Sequence, residues 1–315
     1  MTTRRKFLAS ATSLATGALA APALMSHAAL GQALRKVKMG SAFTTTTNAA
    51  YLMPKYLKPE GIDLEIVSFP SLVQRMQAVA SGDVDAGNGG LSATMQIDVK
   101  GFPMSVLANG CDGGWMLVAN PSIASFADLK GKKIGVQNGS IGLVSLLWKL
   151  KHEGLDGAVD LAFMDNQDQP IPLMRGDIAA ICCFEPYATL AELQGWGKKL
   201  WVPYDTPMGK TNLGFVASSA FVKKDPVLAR TLVQAHVKAT NEMASDPAIA
   251  IKTTIDQFKM TPEVAAASTK NLFFSAASGK PFQDGLKALA GMMIDAKLLD
   301  REPDWSRFID TRFLT

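Results

Sequence analysis

The sequence predicts an α/β fold in two lobes, each a parallel sheet covered by helices, and three observations carry that expectation. From Val37 onward the chain repeats one phrase: an alternating apolar strand, a loop of Ser, Thr, Asn or Gly, and a helix with an apolar stripe. Strands alternating with helices need crossover connections, and these build parallel sheets with helices on their faces. Of the 315 residues, 287 follow position 28, more than the size of about 250 at which one core stops growing.

The elements follow in order. Val37, Met39, Ser41 and Phe43 alternate with Lys38, Gly40 and Ala42 as a strand, and the hydroxyls of Thr44, Thr45, Thr46 and Thr47 can cap a helix over 48–57. Ile62, Leu64 and Ile66 give the next strand, Pro70 and Ser71 a turn and cap. Leu72, Met76 and Val79 form the i, i+4, i+7 stripe of the helix that follows. Residues 84–86 lead into the loop Gly87-Asn88-Gly89-Gly90, Ser92 opens another helix, and 104–108 and 115–119 supply strands. A second series starts with Lys132-Lys133-Ile134-Gly135-Val136, a strand that ends in Asn138-Gly139-Ser140 before the helix of Leu143, Leu147 and Leu150. Strands at 161–164, 178–184 and 200–202 continue it. The last third of the chain is mostly helical, with Leu228, Leu232, Ala235 and Ala239 as one stripe and Leu286, Leu289, Met293 and Leu298 as another. Such helices must cover a sheet.

The N-terminal segment reads differently. Thr3-Arg4-Arg5-Lys6-Phe7-Leu8 runs into an uncharged stretch over 7–25, and Ser26-His27-Ala28 has the small-x-small form of a cleavage site. This is the pattern of a signal peptide over 1–28 of the twin-arginine type, and it places the mature protein in the periplasm. Ser, Thr, Gly and Pro22 interrupt the stretch, which argues against a spanning helix of about 20 strongly apolar residues. No cysteine precedes Cys111, so there is no thiol to acylate near the mature start. Arg4, Arg5 and Lys6 supply three of the +4 formal charges, which leaves +1 after cleavage and gives no electrostatic reason for nucleic-acid or membrane binding. Cys111, Cys182 and Cys183 suit neither a disulfide framework nor a zinc site and read as small buried apolar residues.

Four segments carry a resemblance to a known family. They are residues 72–86, ending in Ser81-Gly82-Asp83-Val84-Asp85-Ala86; Ser125-Phe126-Ala127-Asp128-Leu129-Lys130-Gly131-Lys132-Lys133-Ile134-Gly135-Val136; Met174-Arg175-Gly176-Asp177-Ile178-Ala179-Ala180; and Glu185-Pro186-Tyr187. In order and spacing the chain resembles the periplasmic solute-binding proteins of ABC importers in the nitrate, sulfonate, taurine and thiamine-pyrimidine-precursor group. The resemblance implies the two-lobed periplasmic-binding-protein (type II) fold, with the ligand in a cleft that closes on it. By that analogy lobe 1 comprises 35–120 plus 214–315 and lobe 2 comprises 121–213, with crossovers near 118–121 and 212–216. It also implies an inner-membrane permease with its ATPase as partner, a small-molecule ligand, a monomeric mature protein and no cofactor.

In parallel sheets ligands sit beyond the carboxyl ends of strands, where loops enter helix N-termini. Here those loops are 43–48, 68–71, 88–92 and 109–115 in the first lobe, and 137–141, 165–168 and 185–187 in the second. Thr44, Thr45, Asn88, Gly89, Ser92, Asn138, Gly139 and Ser140 offer hydroxyl, amide and backbone N–H groups there, either to a ligand oxygen or simply as helix caps. Phe43, Phe69, Trp115 and Tyr187 can wall an apolar or planar ligand, or belong to the core. Glu185, at the end of an apolar strand and before Pro186, needs a partner, either the ligand or an intramolecular one such as a Lys or Arg of the opposite lobe. Arg75 can reach an anionic head group or lie on a solvated helix face.

Catalysis is not expected. His27, His152 and His236 are the histidines, the first within the signal segment and the others on separate helices, and no H-E-x-x-H, G-x-S-x-G, Walker A or G-x-G-x-x-G pattern occurs. A relative of the fold makes the thiamine pyrimidine, so a pyrimidine-synthase-like enzyme stays as a lesser alternative, as does a periplasmic sensor or co-receptor using the same cleft. The main expectation is uptake of a small organic or oxyanion solute, whether sulfonate, nitrate or pyrimidine-like. Replacing Arg4 and Arg5 together with Lys is expected to hold the precursor in the cytoplasm of a bacterial host. Unchanged periplasmic yield would overturn the twin-arginine assignment.

Overall fold

Two sheets organise residues 33–315, the part of the chain that the computed structural model describes; the expected signal segment 1–28 lies outside the described residues. The strands are β1 (Arg35–Ser41), β2 (Ile62–Ser68), β3 (Ala86–Gly90), β4 (Met104–Gly113), β5 (Trp115–Ala119), β6 (Lys133–Val136), β7 (Asp160–Phe163), β8 (Ala180–Phe184), β9 (Lys198–Trp201), β10 (Leu213–Ser218) and β11 (Leu272–Phe274). The first sheet has the order β11-β4-β10-β3-β1-β2 and the second β7-β6-β8-β5-β9. The α/β class and the two-lobed periplasmic-binding-protein architecture are as the sequence leads one to expect.

The sheets are mixed rather than wholly parallel. β1 runs parallel to β2 and β3, and β6 parallel to β7 and β8, each joined through helices as βαβ units. β10 is antiparallel to β3 and β4, and β5 is antiparallel to β8 and β9. The reason is the route of the chain. β4 passes directly into the other sheet as β5, and β10 brings it back, so neither strand enters through a covering helix.

Residues 115–119, expected in the first lobe, therefore belong to the second sheet, and the first crossover lies at Gly113 and Gly114, ahead of 118–121. The expected loop 109–115 is mostly strand as well. Both glycines sit in the left-handed region, at φ +74° and +82°. A Cβ at position 113 would come within 2.7 Å of the Tyr204 hydroxyl, and one at 114 within 2.8 Å of Leu272. The second passage lies between β9 and β10, and its end, Asn212, donates from Nδ2 to the Gly113 carbonyl at 2.5 Å. The two crossover strands are thus tied to each other where they change sheet.

The local code accounts for most helices. Ser71 caps Leu72–Ser81 by accepting from the Gln74 N–H, and Ser140 caps Ile141–His152 by accepting from the Leu143 N–H. The region 48–57 divides into Asn48–Leu52 and Pro54–Leu57, with the proline at the first position of the second helix, where its missing N–H is harmless. Residues 87–90, expected as a loop, form β3. Without side chains at 87, 89 and 90 the backbone lies close to its neighbours, and a Cβ on Gly89 would meet Val216 at 2.6 Å. The stripe Leu228, Leu232, Ala235 and Ala239 is buried in Pro226–Ser245, against the first sheet. One apolar cluster runs through both lobes, from Leu72 and Met76 to Trp115, Ile134 and Leu146. Cys111, Cys182 and Cys183 are free thiols buried within strands.

Gly113→Ala is expected to destabilise by at least about 1 kcal/mol, because it places a Cβ at positive φ against Tyr204. Urea unfolding checks this; an unchanged midpoint would show that the crossover tolerates another backbone path.

Candidate functional site

Between the two sheets lies a cavity of about 20 Å³ into which several strand ends open. That is room for one or two water molecules in the present arrangement, so the lobes are drawn together. The first lobe contributes Ala42, Phe43, Thr44 and Thr46 from the segment after β1, and Pro70, Leu72 and Arg75 from the start of the helix after β2. Gly90, Asn212 and Leu213 complete that side. The second lobe contributes Trp115, Gln137, Ile141, Asn166, Gln167 and Phe184. Residues at the starts of three helices, Leu72–Ser81, Leu91–Val99 and Ile141–His152, thus border one space, whose partly positive helix ends favour an anionic or carbonyl oxygen.

Arg75 dominates the electrostatics. Its side chain is 4 % exposed, its Nε has no hydrogen-bond partner, and no carboxylate pairs with it among the described residues. Burial lowers its pKa to about 10, which still leaves it cationic at neutral pH. The cavity lining contains no Asp or Glu. A buried guanidinium facing a cavity without a counter-ion is costly until an anion arrives. The solvated-face alternative for Arg75 is thereby corrected: with Leu72, Met76 and Val79 it completes an i, i+3, i+4, i+7 set on the buried side of its helix.

Around it the polar side chains are neutral and oriented. Gln137 donates to the Pro70 carbonyl across the lobes at 3.4 Å and to Asp165 at 3.0 Å, and its Oε1 accepts from Asn166 Nδ2 at 2.9 Å. The walls are apolar and aromatic. The rings of Trp115 and Phe184 lie 3.7 Å apart between centroids, and Trp115 Nε1 donates to Asn212 Oδ1 at 3.3 Å. This ties the wall to the crossover.

Of the residues singled out from sequence, Phe43, Thr44 and Trp115 line the cavity. Others lie on the lobe junction and clasp it shut. Ser92 donates to the Gly139 carbonyl at 2.7 Å rather than capping a helix, and Tyr187 donates to the Phe43 carbonyl at 2.9 Å. The Thr45 N–H donates to the Glu185 carbonyl at 3.3 Å, and the Thr45 hydroxyl has no partner. Ser140 acts as a cap and donates to the Gln137 carbonyl at 2.7 Å. Asn88 donates to the Thr47 carbonyl at 3.4 Å within the first lobe. Asn88, Gly89, Phe69, Asn138, Gly139 and Ser140 are not among the cavity-lining residues. The polar and aromatic cavity residues that sequence alone did not single out as ligands are Thr46, Gln137, Asn166, Gln167, Phe184 and Asn212.

Glu185 also stays out of the cavity. It is fully buried, with Oε1 accepting from Thr189 Oγ1 at 2.7 Å and from Asn271 Nδ2 at 2.5 Å, and Oε2 accepting from the Thr189 N–H at 3.1 Å. Asn271 comes from the first lobe, so Glu185 has an intramolecular partner across the junction, but a neutral amide rather than the expected Lys or Arg. Burial pushes its pKa up to about 7, against the lowering effect of those three donors. His236 packs in the first lobe, 4.8 Å from the Phe215 ring, with Nε2 2.8 Å from the Asn109 carbonyl and a pKa lowered to about 4 by burial. His152 stacks on Trp148 at the end of its helix. Neither lines the cavity.

A family model described as "NMT1/THI5 like" matches residues 54–250. The 4-amino-5-hydroxymethyl-2-methylpyrimidine phosphate synthase THI12 of Saccharomyces cerevisiae is 27% identical over 221 residues, 64% of this chain and 64% of the relative. The taurine-binding periplasmic protein of Escherichia coli is 27% identical over 206 residues, 62% of each. The chain thus spans less than two thirds of the length of these relatives. In fold it is similar to the ligand-binding component of an ABC-type import system from Staphylococcus aureus, with a TM-score of 0.80 and 19% identity over 89% of this chain and 97% of that one.

The buried carboxyl at the lobe junction gives a pH dependence. Below about pH 4.5 Glu185 is protonated in both folded and unfolded chains; between 4.5 and 7 the unfolded chain releases the proton while the folded one keeps it. Stability is therefore fully present at the acid end and is lost as pH rises through 7, by an amount on the order of 3 kcal/mol. Glu185→Gln is expected to remove that part of the slope. Urea unfolding of both proteins at pH 5 and pH 8 tests it, and equal slopes would show that Glu185 carries the same charge folded and unfolded.

Proposed function

The chain belongs to the NMT1/THI5-like family, and from that premise we propose that it is the extracytoplasmic solute-binding component of an ABC uptake transporter, capturing a small anionic solute by closure of its lobes. The observation that carries this reading is Arg75, a buried guanidinium with no carboxylate partner beside a cavity between the lobes. A permanently bound structural cation would have an acidic partner; a capture site leaves that place to the ligand. The name of the taurine-binding relative supports a sulfonate head group on the solute, and the S. aureus neighbour shares the fold. Sulfonates and oxyanions suit the guanidinium, the Thr44 and Thr46 hydroxyls and the amides of Gln137 and Asn166. A pyrimidine-like ligand would draw on the Trp115 and Phe184 wall instead. The reading includes export by the N-terminal twin-arginine segment, a monomeric mature protein in the periplasm, and delivery to an inner-membrane permease with its ATPase.

The yeast relatives named as pyrimidine phosphate synthases favour a second reading, an enzyme of the same fold. The placement of His152 and His236 away from the cavity weighs against a role for either in such chemistry. Mass spectrometry of the purified protein for a bound or released pyrimidine phosphate product separates the two readings.

For the main reading, a thermal-shift screen over sulfonates, oxyanions, carboxylates and pyrimidines is expected to return an anion; at 100 times its Kd it stabilises by about 2.7 kcal/mol. Arg75→Gln should weaken that ligand by about 2–5 kcal/mol. The free variant should melt no lower than the natural protein, because an unpaired buried charge has been removed. Unchanged affinity with a lower melting temperature would make Arg75 structural and overturn the proposal.

A further inference from the structure

The charge balance of the closed cavity says more about the solute than its class. Arg75 contributes one positive charge, and the other polar groups facing the space, Thr44, Thr46, Gln137, Asn166, Gln167 and Asn212, are neutral. The acids near the junction are engaged elsewhere. Buried Glu185 accepts from Thr189 and Asn271, half-buried Asp112 accepts from Asn109 Nδ2 at 3.1 Å, half-buried Asp165 accepts from Gln137 Nε2 at 3.0 Å, and none of the three lines the cavity. The rest of the wall includes Leu72, Trp115, Ile141, Phe184 and Leu213, and no carboxylate side chain lines the space to pair with an ammonium group.

We infer that Arg75 sets the net charge of the ligand as well as its head group: the site selects a monoanion whose body is uncharged, and discriminates against zwitterions and dianions. The inference rests on the anion-capture reading. A monoanion brings the sealed cavity to zero net charge. A zwitterion places its anionic end on Arg75 but leaves one positive charge behind, with its ammonium taken out of water and no carboxylate to meet it. A dianion leaves one negative charge in the same low-dielectric space. Neutral amides and hydroxyls can orient a ligand, but they cannot supply a missing unit of charge.

Matched pairs of equal size isolate this effect. Propane-1-sulfonate and 2-aminoethanesulfonate differ by CH₃ against NH₃⁺, and 4-ethylbenzenesulfonate and 4-(aminomethyl)benzenesulfonate repeat the comparison on a planar body. Calorimetry on the natural protein is expected to show the uncharged-tail member binding at least about tenfold tighter within each pair. In Arg75→Gln, which leaves the cavity neutral before binding, the monoanion leaves one negative charge and the zwitterion none, so that ratio should fall to one or below. In the natural protein, equal or tighter binding of the ammonium member in either pair overturns the inference while leaving anion capture standing. A ratio that survives Arg75→Gln also overturns it, since the tail is then selected by shape. Silence from all four probes, with binding of an uncharged solute, refutes the anion reading and the inference together.

Discussion

A guanidinium held out of water without a counter-ion is the constraint around which the rest of this structure is arranged. Arg75 is buried because its helix is anchored at Ser71 and presses Leu72, Met76 and Val79 into the core, which carries the intervening position inward with them. The second lobe then closes over it with neutral amides and aromatic rings rather than with an acid. The resulting environment is under-neutralised by one unit in a region where effective dielectric is low, and a charge of opposite sign is worth far more there than at the surface. In the proposed reading the ligand is the missing partner of a pair whose protein half is already desolvated.

The lobes are joined by hydrogen bonds in addition to the apolar cluster that runs through both. Ser92 to Gly139, Tyr187 to Phe43, Gln137 to Pro70, Thr45 to Glu185 and Asn271 to Glu185 are single hydrogen bonds between lobes. Each contributes about 1 kcal/mol net, more where a charged group takes part, on top of the apolar packing between the lobes. The crossovers behave differently. Gly113 and Gly114 fix the backbone turn between sheets, and Asn212 joins it to the Trp115 indole at the cavity wall. The wall and the crossover therefore move as connected parts.

Much of this was legible in the sequence because it depends on local periodicity. The strands β1, β2, β6, β7 and β8 follow from alternation, and the caps Ser71 and Ser140 from residue type before an apolar stripe. What was not legible depends on distant partners. Nothing near Trp115 tells that it pairs with Phe184 in the second sheet, a partner 69 residues further on. Glu185 is recognisable as a strand-end carboxylate that needs donors, but one of them, Asn271, lies 86 residues away. Arg75 was half visible: its i+3 spacing from Leu72 places it on the apolar stripe, yet long cations usually escape to solvent from such positions. Only the cover supplied by the second lobe removes that escape.

The same geometry explains how one family can include members named for binding and for synthesis. A cavity between lobes that excludes water and fixes a small molecule against a charge is a prerequisite for either. What distinguishes them is whether a group able to exchange protons or react covalently reaches the bound molecule. In this chain the titratable group at the cavity is a guanidinium, which stays protonated, while Glu185 and the described histidines are occupied by neighbours elsewhere. A cation that cannot give up its proton at neutral pH can hold and release an anion without changing it. That chemistry suits the proposed capture role, in which the solute would leave as it arrived.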